Sequence, residues 1–94
     1  STVNALLGRY KSSGKRYTLL LLEYPETSGA RKAHKHARKK LQLPKKHAVK
    51  QQKDGTWSGH IRHQRFAGFV FSAPEQKVVL QQLEEAVHLY KEGP

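Results

Sequence analysis

The 35 residues from 31 to 65 constrain this chain more than any other segment: they hold 12 Lys and Arg, five of the six His, and one acid, Asp54. The other 59 residues carry six basic and six acidic groups, so the whole formal charge of +11 belongs to this one stretch. A single-sign field costs free energy through self-repulsion, and a chain that keeps one usually meets a polyanion. The core must then come mainly from the neutral flanks. With 94 residues and 36% apolar side chains, there is material for one modest core and not for two.

Thr2 to Tyr10 places Val3, Leu6, Leu7 and Tyr10 at helical spacing, which predicts a short N-terminal helix stopped by Ser12, Ser13 and Gly14. Tyr17 to Tyr24 is an apolar run bounded by Arg16 and Pro25, and its length suits a central strand. Pro25 to Gly29 reads as a turn. Ala30 to Leu41 is a basic helix or arm, with a thin stripe of Ala30, Ala33, Ala37 and Leu41, closed by Pro44. His47 to Gln52 and Thr56 to His63 read as strands around the turn Lys53-Asp54-Gly55, with Trp57, Gly59 and Ile61 on one face. Phe66 to Phe71 is a further strand, whose inner glycine signals close packing or a bulge. Ser72 and Glu75 have capping-box spacing before a helix over Ala73 to about Glu92, with Val79, Leu83, Ala86, Val87 and Tyr90 on one stripe. Gly93 and Pro94 stop it. The expected class is α+β: an antiparallel sheet of three to four strands packed on a long C-terminal helix, with the basic helix or arm inserted after the first strand.

Several chemistries drop out early. With no cysteine, disulfides, thiolate zinc sites and cysteine nucleophiles are excluded. No apolar run approaches the roughly 20 residues of a membrane span, the longest being Leu19 to Leu22. His34 and His36 point away from each other on a helix, and His60 and His63 fall on opposite faces of a strand, so neither pair builds a metal site. No phosphate-cradling glycine loop or nucleophile elbow is present, and no cofactor is expected. A metal-free nuclease using His60 or His63 among the cations is the catalytic alternative.

The basic stretch points instead to a polyanion. Arg31, Lys32, Lys35, Arg38, Lys39, Lys40, Lys45, Lys46, Lys50 and Lys53 are candidates for phosphate contacts, which give affinity without sequence information. Gln52, Trp57, His60, Arg62 and Arg65 are candidates for contacts from the sheet, because arginine on a strand can reach a guanine edge in the major groove. Trp57 has two readings, packing against the final helix or stacking on a base.

Val49-Lys50-Gln51, Gly55, Trp57, Ile61, Arg62, Arg65, Phe71 and Glu75 follow an order that resembles the three-stranded-sheet DNA-binding domain of plant ethylene-response factors. That domain also occurs in apicomplexan regulators and phage-type integrase arms. The resemblance covers Ala48 to Glu75. It implies a sheet in the major groove, backed by the helix from Ala73, with Lys50, Gln52, Trp57, Arg62 and Arg65 as contacts. The whole-chain layout looks like the Alu-RNA-binding subunits of the signal recognition particle, which would put the basic loop on RNA. The strand, helix, strand, strand, helix order is also shared by the sporulation-related peptidoglycan-binding domain.

The expectation is therefore a single non-enzymatic module that binds nucleic acid, with duplex DNA ahead of structured RNA. A peptidoglycan-binding or protein-interaction module, the latter using the acidic side of the final helix, is the alternative.

Overall fold

The computed structural model describes residues 4–40, 42–43 and 49–92, apart from the side chains of Leu89, Lys91 and Glu92. Its elements are β1 (Asn4–Ser12), β2 (Lys15–Glu23), α1 (Thr27–Lys40), β3 (Val49–Gln51), β4 (Trp57–His63), β5 (Phe66–Ala73) and α2 (Gln76–Glu92). The strands form one antiparallel sheet in the order β1-β2-β5-β4-β3. The α+β class is as expected, with five strands where three to four were expected.

The extra strand comes from the N-terminal segment, where a helix was expected. Ser13 and Gly14 both adopt positive φ, 51° and 78°, which matches the two-residue turn whose twist suits a β-hairpin. That turn folds β1 onto β2 in unbroken register, from Asn4↔Glu23 to Ser12↔Lys15. Leu6 and Leu7, neighbours on the expected helical face, now point to opposite sides of the sheet.

Alternation then sorts the core into two layers. Tyr17, Leu19, Val70 and Ala73 face α2, where Val78, Val79 and Leu83 cover them, with Leu21, Val49, Trp57 and Ile61 around the margin. Leu20, Leu22, Phe69 and Phe71 face the other way, toward Ala37 of α1 and the buried Leu43. One helix therefore lies on each side of the sheet, where a single helix on one side was expected.

At Gly68 a Cβ would meet the side chains of Ile61, Leu21 and Phe66 at 3.4 Å, the near limit of ordinary contact, so packing alone does not demand the glycine expected to signal close packing or a bulge. The bulge lies nearer the end of β5. Gly59 pairs with Val70 but Trp57 pairs with Ala73, so β5 carries one additional residue, and Ser72 takes φ 63° to accommodate it. The shift brings Ala73 to the α2 side. It also keeps Ser72 in the strand, so the proposed Ser72–Glu75 box does not cap the helix, and α2 begins at Gln76. The Lys53-Asp54-Gly55 turn forms as expected, with Gly55 at φ 88°. The Thr56 hydroxyl and N–H donate to Asp54 Oδ1 at 2.6 and 3.0 Å, and the hydroxyl is the main reason that this carboxyl titrates below its usual range. The expected helix stops at Pro44, Gly93 and Pro94 lie outside the described residues.

Candidate nucleic-acid interface

The basic segment Thr27–Lys40 forms a full helix. Its N-terminus starts with the Ala30 N–H donating to the Glu26 carbonyl at 3.1 Å, and Glu26 is an acid placed where the helix dipole favours one. At the other end Leu43 N–H donates to Arg38 O at 2.9 Å and Gln42 N–H to Lys39 O at 3.1 Å, with Gln42 at φ 55°. This is the left-handed closure that satisfies terminal carbonyls, and the buried Leu43 supplies its apolar contact. Lys50 Nζ donates to the Gln42 carbonyl at 3.0 Å, adding a cation at the negative end of the dipole.

The faces of α1 differ sharply. Ala30 is fully buried, and Ala33, His34 and Ala37 are half-buried; alanines let a helix sit close to a sheet. Arg31, Lys32, Lys35, His36, Lys39 and Lys40 are exposed. Spacing of four residues aligns Arg31, Lys35 and Lys39 in one row and Lys32, His36 and Lys40 in the next, with steps of about 6 Å. Among the described residues none of these five Lys and Arg makes an ion pair, and α1 contains no acid.

Beneath the helix, His34 and His60 meet with Nε2 and Nδ1 2.9 Å apart, 26 residues apart in sequence. One ring donates and the other accepts, so the contact requires that at least one imidazole be neutral. Burial first, then His60, Arg62 and Arg38, push His34 down to about 4. Two nitrogens on one tetrahedral zinc would lie about 3.3 Å apart, and no group of three or more His, Asp or Glu side chains converges among the described residues. The pair is a hydrogen bond under a helix. Sequence spacing gave no sign of it.

The other candidates scatter. Lys45 and Lys46 lie outside the described residues. Lys53 is exposed in the β3–β4 turn, and the Gln52 N–H donates to Thr56 O at 2.7 Å. Trp57 packs at the margin of the α2-side core, matching its packing reading. His60 is buried at 6% exposure. Arg62 curls back to donate to Gln64 O at 3.1 Å. Arg65 reaches Tyr24 O at 3.5 Å and Glu23 at 3.9 Å, an exposed pair of little energetic weight. His60 faces α1, whereas the His63 ring lies 6.1 Å from Tyr90 of α2, so these imidazoles share no site. Arg38 is half-buried beside His34.

A groove of about 810 Å³ runs beside α2, with Ile61, Leu80, Leu83 and Val87 as its apolar lining and Glu84 and Glu85 among its polar lining. No described helix is long and apolar enough to cross a membrane.

Fold and surface together define a small α+β domain with a cationic helix on one side of its sheet. No family model, curated protein or solved structure matches the chain.

Proposed function

We propose that this chain is a non-enzymatic nucleic-acid-binding module in which α1 grips the phosphate backbone. The observation that carries the reading is the double row on α1, whose five exposed Lys and Arg make no ion pair among the described residues. Duplex DNA is the first target and structured RNA the second: each strand of a B-form duplex presents a phosphate about every 3.4 Å along its axis, so a row about 12 Å long faces several. Binding of this kind is insensitive to sequence. Base readout in the manner of the three-stranded-sheet family would fall to Arg62 and Arg65, which must first release Gln64, Tyr24 and Glu23. His34 and α1 cover part of the sheet face opposite α2, so the helix carries more of the contact than the sheet does.

The test is a binding panel of duplex DNA, duplex RNA and single strands at two salt concentrations. Four to five phosphate contacts give a log–log salt slope near −4, a loss of about a few hundredfold between 50 and 200 mM. Charge reversal by Lys35→Glu with Lys39→Glu weakens binding to all sequences and flattens the slope by about two. A slope near zero for the unmodified chain refutes the reading. Arg62→Ala with Arg65→Ala relaxes sequence preference if the sheet reads bases, and equal losses on all sequences exclude that role.

The groove beside α2 favours one second reading, docking of a basic amphipathic segment between Leu80 and the glutamates. Nucleic-acid binding that vanishes at physiological salt, with peptide binding lost in Leu80→Asp, would support it instead.

A further inference from the structure

Sheets normally end on strands that are short, charged, bulged or covered, because an open row of backbone N–H and C=O groups templates pairing with another chain. One edge of this sheet is protected in that way, since β3 has three residues. The other edge is long and, among the described residues, uncovered, and its only charges, Arg9 and Lys11, lie in its second half. β1 has nine residues, no register shift against β2, and no neighbouring strand on its outer side among the described residues. Leu6, Leu7 and Tyr10 on it are 60%, 58% and 42% exposed, three of the four exposed large apolar side chains of the described chain.

We infer that β1 is the interface for a second copy of this chain, joined antiparallel about a two-fold axis perpendicular to the sheet to give ten continuous strands. The inference is independent of nucleic-acid binding. Such an axis keeps each side chain on its own face, so residues that oppose each other must both be even-numbered or both odd-numbered.

The register that uses the whole strand centres on Gly8. It sets Leu6 against Tyr10 of the partner subunit, Leu7 against Arg9 of the partner subunit, and Ala5 against Lys11 of the partner subunit. Each pair occurs twice by symmetry. Leucine with tyrosine is a favourable cross-strand pair, and no two cations oppose each other. Gly8 suits the centre, because a Cβ there would stand 2.6 Å from the Tyr10 ring, which already lies over it. Centring on Arg9 instead would oppose two guanidinium groups. Centring on Leu7 would leave Lys11 and Ser12 unpaired against the described strand and break both Leu–Tyr pairs.

Equilibrium sedimentation of the 94-residue chain tests this. The expected result is a mass rising from 10.7 kDa toward twice that value with concentration. Ala5 and Leu7 are both exposed in a single copy, so substitutions there leave the fold intact, which circular dichroism verifies. Ala5→Lys with Leu7→Lys places like charges opposite Lys11 and Arg9 and weakens association about tenfold or more. Ala5→Glu with Leu7→Glu places acids opposite the same cations, keeps the association, and makes it salt-sensitive. A chain monomeric up to about millimolar concentration, assemblies larger than two copies, or equal behaviour of the two double variants would each overturn the proposal.

Discussion

Acidification should loosen α1 through the His34–His60 contact, and His34→Gln isolates the effect. His34 titrates at about 4 in the folded chain, against about 6.5 for an unperturbed imidazole. Between those values the unfolded chain binds more protons, so the stability present above pH 6.5 is lost as pH falls through this window. At about 1.4 kcal/mol per pKa unit the upper limit is about 3.5 kcal/mol. His34 is only half-buried, and solvent screening brings the expected loss to about 2 kcal/mol. The groups acting on it are His60 and Arg62 from β4 and Arg38 from α1 itself, and the Phe69 ring of β5 is 5.9 Å away. Urea unfolding at pH 7 and pH 4 measures the loss. Carboxylates titrate in the same window, so the readout is the difference between the two proteins. Glutamine keeps a hydrogen-bonding amide toward His60 but cannot be protonated. Its pH-dependent loss should be smaller by about 2 kcal/mol, or about 8–16 °C in the shift of Tm for a domain of this size. Equal losses would refute the argument.

Further expectations concern the fold. Phe69→Ala empties the α1-side core around Phe71 and Ala67 and should cost about 3–5 kcal/mol in chemical unfolding; a loss under about 1 kcal/mol would mean that this layer collapses freely. Gln42→Gly relieves the left-handed residue closing α1 and should raise stability by about 0.5–1 kcal/mol, seen as a Tm gain of a few degrees. Gly14→Ala, at φ 78°, should cost about 1 kcal/mol, with hydrogen exchange rising first in β1.

The legible parts of this chain were those where local pattern and tertiary packing agree. The Leu-rich run became β2, the alternation through Trp57 and Ile61 became β4, and the stripe through Val79, Leu83 and Ala86 became the buried face of α2. In the N-terminal segment the spacing of Leu6, Leu7 and Tyr10 fits a helix, and the signal that overrides it is the short Ser-Gly turn and the strand it pairs with. The start of α2 moved because the additional residue at Ser72 extends β5, and nothing in the spacing of Ser72 and Glu75 reveals a bulge. For the candidate surface, charge arithmetic located α1 and its exposed cations. Which arginines would be tied down by Gln64, Tyr24 and Glu23, and which histidine would slide under the helix, depends on how β4 and β5 meet α1, and single-sequence patterns do not carry that.

Placing the two helices on opposite sides of the sheet has an electrical consequence. The α1 side presents uncompensated cations, whereas the outer side of α2 exposes Glu84 and Glu85. The described charges of the two helices are therefore unlike on the two sides of the sheet. Were the partner the polyanion proposed above, this asymmetry would favour encounters that begin on α1, an advantage that fades as salt shortens the reach of the field.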